Sequence, residues 1–218
     1  MKKKTLFLLA SILTMSLFKV QNTFKNEIVE EPIVVEAAQH AANFDLYTYT
    51  GTYYNSITAT GEGLNGSLRN ALTDYILPKA WPTYSGTSSS NCLAFLLQEA
   101  DENPENSSQM IYLYTRDSVN KNAASSWNRE HVWPQSLSNN NWGKSKAGTD
   151  LLHIRPTYST TNSTRGNLKF GEVSGGTQRT YNGMPYGETS STLFEPLPSV
   201  KGDVARIIMY TWVAYKDY

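Results

Sequence analysis

Arg129-Glu130-His131-Val132-Trp133-Pro134 sets a carboxylate beside an imidazole, and Asn162-Ser163-Thr164-Arg165-Gly166-Asn167 follows with a carboxamide. Between them stands Asp150-Leu151-Leu152-His153-Ile154-Arg155-Pro156. A neutral imidazole, with an ordinary pKa of about 6.5, is a suitable general base near neutral pH. Glu130 and Asn167 offer hard oxygen donors, and Mg²⁺ takes only one or two such oxygens from protein while keeping several waters. Open positions on such a cation accept a phosphate oxygen, and the base activates water. Hydrolysis of a phosphodiester is the chemistry these residue types suit. Zinc hydrolysis fails on supply, because three histidines and one cysteine show no ligand spacing such as His-Glu-x-x-His.

Other roles remain open for several of these side chains. Glu130 and His131 also fit a surface pair, or a core histidine bonded to a carbonyl. In an extended segment the two point to opposite faces, so both serve one site only if the strand kinks or twists there. His153 points toward the site or toward solvent. Arg155 and Arg165 contact phosphate or pair with acidic side chains of the scaffold. Glu195 and Arg206 fit a structural ion pair that ties a loop to a helix. Trp127, Trp133 and Trp142 offer faces for bases, with core packing favoured for the first two.

The elements that must position these groups are partly visible. Leu68, Ala71, Leu72 and Tyr75 recur at helical spacing and predict a helix running to Ile76. Asn91 to Ala100 fits either helix or strand. Met110 to Tyr114 predicts a strand, and Leu151 to Ile154 a short strand closed by Pro156. Ser136 to Lys146 reads as an exposed loop, as does Gly171 to Gly187, with turn signals at Gly175-Gly176 and Asn182-Gly183. Thr160 to Ser163 offer N-caps for a helix through Asn167. Lys201 to Tyr215 carries Val204, Ile207 and Ile208 on a helical period. Cys92 sits in an apolar run and, as the lone cysteine, permits no internal disulfide.

Composition narrows the class of partner. The chain of 218 residues has no net charge and is 17% charged. Its 121–170 stretch nevertheless holds seven basic side chains (Lys121, Arg129, Lys144, Lys146, Arg155, Arg165, Lys169) against Glu130 and Asp150. A local excess around the candidate site suits a polyanion such as nucleic acid. At the N-terminus, Met1-Lys2-Lys3-Lys4 and the apolar run Leu6 to Phe18 have signal-peptide proportions and are too short to span a bilayer. Residues 19–43 read as a polar connector, and the folded domain is expected over 44–218.

The stretch from Trp127 to Phe170 resembles the bacterial endonuclease I family of exported, non-specific nucleases, within the His-Me finger (ββα-metal) superfamily. Tyr53-Tyr54-Asn55-Ser56 and Phe194-Glu195-Pro196 with Lys201-Gly202-Asp203-Val204-Ala205-Arg206 extend the resemblance to about residues 45–215. It implies an α+β single domain with a central ββα-metal finger surrounded by helices. By the same resemblance His131 is the general base, and Glu130 and Asn167 hold Mg²⁺ (or Mn²⁺ or Ca²⁺). The resemblance also implies Arg165 near phosphate and Asn162 in support of the finger; from the local basic excess Arg155, Lys144 and Lys146 are expected at the substrate, and His153, Glu195 and Arg206 are expected to support the site. The implied activity is secreted, monomeric, sequence-non-specific cleavage of DNA, and possibly RNA, leaving 5′-phosphates. Two departures are visible: Leu152 stands where the family commonly has histidine, and the chain stops at Tyr218, where members continue through another helix, which predicts a C-terminally truncated domain. An inactive nuclease fold that only binds nucleic acid or an envelope partner is the alternative.

Overall fold

The computed structural model describes residues 52–59, 66–77, 80–86, 90–123, 127–138, 142–144 and 146–215. The apolar N-terminal run, the connector and Gly61 and Gly63 lie outside the described residues, and no described helix is long and apolar enough to cross a membrane. The chain divides into two units, Met1–Leu72 and Thr73–Tyr218. The described part of the first is a turn in which Asn55 N–H donates to Thr52 O at 3.0 Å, followed by the start of α1 (Ser67–Ile76).

The second unit is α+β. In chain order it holds α2 (Leu93–Ala100), β1 (Glu102–Asn103), β2 (Asn106–Ile111), β3 (Ser118–Asn120), β4 (Trp127–His131), β5 (Ile154–Tyr158) and α3 (Ser159–Arg165). Then come β6 (Lys169–Phe170), β7 (Thr177–Tyr181), β8 (Met184–Thr189), β9 (Leu193–Pro196) and α4 (Pro198–Ala214). Three sheets result: β1-β2-β3, the pair β4-β5, and β6-β9-β8-β7.

Helix α4 buries Val200, Val204, Ile207 and Thr211, which fall on one face at helical spacing. That face meets Tyr186 and Phe194 of the third sheet together with Leu113, Tyr114 and Val132. Pro198 sits in the first turn of α4, where its missing N–H costs nothing, so the helix starts before the expected Lys201. A second cluster joins Trp142, Ala147, Ala214 and Tyr215, with Trp133 packed against it. A third holds Leu93, Leu97 and Ile154, with Tyr84 and Trp127 against it. All three tryptophans named for base stacking are thus packed into the fold, Trp142 included.

Several expected elements shift. The strand expected over Met110 to Tyr114 ends at Ile111, and Asn91 to Ala100 resolves as α2. Leu151 to His153 is a turn, because Asp150 accepts Leu152 N–H through Oδ1 at 2.8 Å and Ile154 N–H through its carbonyl at 2.9 Å. The strand follows, with Pro156 inside it opposite Arg129; a two-stranded pair leaves an edge where proline's missing donor is tolerated. The loop expected over Gly171 to Gly187 contains the β7–β8 hairpin. Asn182 and Gly183 turn it, with φ of 51° and 81°, the positive values a type I′ turn requires.

Candidate active site

Antiparallel β4 and β5, with Glu130 opposite Arg155 and His131 opposite Ile154, run directly into α3. Alternation along β4 sends Glu130 inward and leaves Arg129 and His131 on the other face. Glu130 is 1% exposed, and its Oε1 accepts from Tyr114 Oη at 2.5 Å and from Arg165 Nη1 at 3.0 Å. Burial pushes its carboxyl up to about 7, against the lowering influence of Arg165 and of the Tyr114 bond. Burial likewise pushes the Tyr114 phenol up, with the Glu130 charge adding to it.

Arg165 is not at an open phosphate position. It is 1% exposed; Nη1 donates to His131 O at 3.1 Å and Nη2 to Val132 O at 2.5 Å, and its guanidinium lies 4.5 Å from the Phe170 ring centroid. Those bonds pin the bend where β4 ends, so this arginine belongs to the scaffold. Arg155 is also drawn inward, donating to the Leu151 and Ile154 carbonyls with Asp101 at 3.8 Å. Of the four expected substrate contacts only Lys144 and Lys146 are exposed.

Two imidazoles meet one turn of backbone. The 3₁₀ turn Lys146–Thr149 begins where the expected exposed loop ends, at exposed Lys146, and is buried over Ala147, Gly148 and Thr149. Its consecutive carbonyls face the histidines: Ala147 O lies 2.8 Å from His153 Nδ1, and Gly148 O lies 3.1 Å from His131 Nε2. Gly148 is required here, since a Cβ would fall 2.1 Å from Gly143 O. His153 is fully buried and accepts Trp133 N–H at Nε2 (3.0 Å), which fixes its hydrogen on Nδ1. Burial lowers its pKa to about 3. The two rings stand 5.7 Å apart, edge to face. Leu152, by contrast, points outward at 54% exposure.

His131 is half-buried, and its pKa is lowered by that burial first, with the Arg129 and Arg165 charges also lowering it and the Gly148 carbonyl opposing. Gln135 Nε2 lies 2.8 Å from its Nε2 and donates to Gly143 O at 2.7 Å. The helix expected to run through Asn167 stops short of it: α3 ends at Arg165, and Gly166, with φ of 54°, turns the chain. The Asn167 carboxamide is exposed and reaches Ser136 Oγ at 3.5 Å, next in sequence to Gln135. Asn162 is half-buried in α3 and its carbonyl accepts Gly166 N–H at 2.8 Å.

Glu195 and Arg206 do not pair with each other. Glu195 pairs with Lys201 and accepts Val173 N–H at 2.6 Å, while Arg206 pairs with Asp203 at 2.5 Å. The tie between strand and helix is therefore Glu195 to Lys201, six residues on, whereas Arg206 lies one turn from Asp203.

Glu130 and Asn167 carry the oxygen donors a hard cation takes, but the carboxylate is buried against Tyr114 and Arg165 while the carboxamide is exposed. Among the described residues no three or more His, Cys, Asp or Glu side chains gather as a metal site, so one would rest on a carboxylate and a carboxamide and keep its waters. With Oε1 taken by two donors, Glu130 would offer Oε2. Tyr114, Gln135 and Gly148 carry no sequence signal of their own; each reaches the Glu130-His131 pair through the fold.

A family model described as Endonuclease I matches residues 60–218. An "Extracellular ribonuclease" of Bacillus subtilis (strain 168) is 36% identical over 176 residues, which are 78% of this chain and 56% of that protein. An "Extracellular ribonuclease" of Bacillus amyloliquefaciens is 42% identical over 125 residues, 55% of this chain and 41% of that protein. The chain spans about half the length of these curated relatives.

Proposed function

We propose, from the premise that this chain belongs to the Endonuclease I family, that it is an exported, metal-dependent endonuclease hydrolysing phosphodiester bonds of RNA and DNA without sequence preference. The observation that carries the proposal is the setting of His131, whose Nε2 lies 3.1 Å from the carbonyl of Gly148. A carbonyl can only accept and the Gln135 amide nitrogen can only donate, so one ring nitrogen cannot serve both. Gln135 keeps Gly143 O as a partner when Nε2 carries the hydrogen. Nδ1 then carries the lone pair, and burial, opposed by the Gly148 and Arg129 carbonyls, favours the neutral ring.

His131 Nδ1 takes a proton from water as its oxygen attacks phosphorus. The phosphorus bond to the 3′ oxygen breaks, that oxygen gains a proton from solvent, and the products carry a 5′-phosphate and a 3′-hydroxyl. Glu130 and Asn167 would hold a Mg²⁺ ion (or Mn²⁺ or Ca²⁺), which would supply positive charge beside the scissile phosphate. Arg165 holds the Glu130 carboxylate and the His131 carbonyl in one frame. Secretion through an N-terminal signal peptide is part of the reading, supported by relatives named as extracellular enzymes.

One observation favours the inactive alternative, namely the burial of Glu130 against Tyr114 and Arg165. Nicking of supercoiled plasmid and cleavage of a fluorogenic RNA, with and without EDTA, separate the two. Metal-dependent cleavage that falls about 10²–10⁴-fold in His131→Ala, with Mg²⁺ binding retained, is expected. Undiminished cleavage in that variant removes His131 as the base, and absence of metal-dependent cleavage in the wild type leaves the inactive binder.

A further inference from the structure

We infer that Arg129 and Lys144, gathered on the ring of Tyr84, form a phosphate subsite beside His131 that holds the substrate strand next to the bond being cut. The inference rests on the nuclease reading and adds to it the residues that grip the backbone. Arg129 and His131 share one face of β4 by alternation. The Tyr84 ring covers that face: the Arg129 guanidinium carbon is 4.2 Å from its centroid, Lys144 Nζ is 5.5 Å, and the His131 ring is 6.4 Å away at 20° to it. These separations hold all three groups within about 12 Å of one another, the span of three to four nucleotides at about 3.4 Å of rise each.

The charge around these cations is what singles them out. Lys121 is paired with Glu99 and Glu102, Arg155 lies near Asp101, and Arg165 pairs with Glu130. Among the described residues no carboxylate lies within ion-pair distance of Arg129 or Lys144. Two cations brought together without an anion repel each other, and a tyrosine ring offsets only part of that cost. A phosphate between them offsets the rest. Arg129 is also held ready: its Nη1 donates to Tyr84 O at 2.7 Å, which fixes the fork while its other nitrogens face no described protein partner. A planar, weakly hydrated guanidinium suits phosphate oxygens. Tyr84 is itself anchored against the Leu93, Leu97 and Ile154 cluster, so the platform is rigid.

The test uses the full chain carrying His131→Ala, which prevents turnover, and a fluorescein-labelled single-stranded DNA 12-mer followed by anisotropy across a NaCl series. Each phosphate contact on a single strand contributes about 0.7 to the slope of log K against log salt. Arg129→Ala and Lys144→Ala are each expected to lower the slope by about 0.7, and the double variant by about 1.4. Tyr84→Leu, which keeps apolar packing but removes the ring, is expected to behave as the double variant, while Tyr84→Phe retains the parental slope. Thermal melting of each variant separates loss of the subsite from loss of fold. An unchanged slope in the double variant, or a Tyr84→Phe effect equal to that of Tyr84→Leu, overturns the subsite while leaving the nuclease reading intact. A parent that binds no 12-mer, together with a wild type that cleaves nothing, overturns both.

Discussion

Gly148→Ala tests whether the backbone, rather than a second side chain, orients the base. An added Cβ falls 2.1 Å from Gly143 O, 2.9 Å from Gly143 C and 3.1 Å from Trp142 O. All three are backbone atoms, so no side chain can swing aside. A tolerable carbon–oxygen contact exceeds about 3 Å, which forces a displacement of about 1 Å between the two strands of this loop. Gly148 O already stands 3.1 Å from His131 Nε2, so the same displacement carries it out of hydrogen-bond range. The Gly143 carbonyl that holds Gln135 at 2.7 Å moves with it. Misplacement of a catalytic group by about 1 Å costs about 10²-fold in rate, or about 2.7 kcal/mol of barrier. Steady-state cleavage of a fluorogenic oligonucleotide is expected to show that loss in kcat with a smaller change in KM, at temperatures where circular dichroism shows the variant folded. A folded variant with kcat within threefold of wild type would refute the role given to this carbonyl.

Arg165→Met removes one partner of a buried ion pair and leaves the Glu130 carboxylate uncompensated, so urea unfolding should show a loss of about 3–5 kcal/mol. A loss under about 1 kcal/mol would return Arg165 to the phosphate-contact role expected from sequence. Asp101 has its carboxyl raised to about 6, by burial first, with Arg155 and Arg116 opposing and Asp203 adding. A raised folded-state pKa means stability is full below the unfolded value of about 3.9 and is lost as pH rises through about 6, by at most about 3 kcal/mol. Asp101→Asn should flatten that fall between pH 4 and pH 7 in urea titrations; a profile parallel to wild type sinks the assignment. Asn167→Ala should raise the Mg²⁺ concentration needed for half-maximal cleavage about tenfold or more, and an unchanged metal titration removes Asn167 from the ligand set.

The parts of this fold that sequence made visible are those whose side chains repeat with a local period. Helix α1 follows the Leu68, Ala71, Leu72, Tyr75 spacing, and α4 follows its Val204 and Ile207 stripe. The β7–β8 hairpin showed only its Asn182-Gly183 turn, because Thr177 to Tyr181 turns only Arg179 and Tyr181 partly inward and has no apolar alternation to read. Leu151 to His153 mimics a strand by composition, but the Asp150 side chain and carbonyl capture the backbone donors that a strand would need. At the site, the adjacency of Glu130 and His131 was plain. Their partners were not, since Tyr114, Tyr84 and Gly148 come from loops whose approach depends on the packed core.

Counting charge along the chain measures composition, and the field at a site depends on pairing. Lys121, Arg155 and Arg165 contributed to the basic excess of residues 121–170, yet each stands by a carboxylate. Three of those carboxylates, Glu99, Asp101 and Glu102, lie outside the stretch, which is why local counting overstated the field. Arg129 and Lys144, gathered with His131 around Tyr84, have no such partner among the described residues. Glu130 shows the converse. Its charge stands beside His131 in sequence, but the strand turns it to the opposite face, where Arg165 compensates it. Alternation along β4 therefore separates the acidic half of the motif from its basic half, and the face that carries His131 is left cationic. That polarity suits the approach of a polyanion to the His131 face.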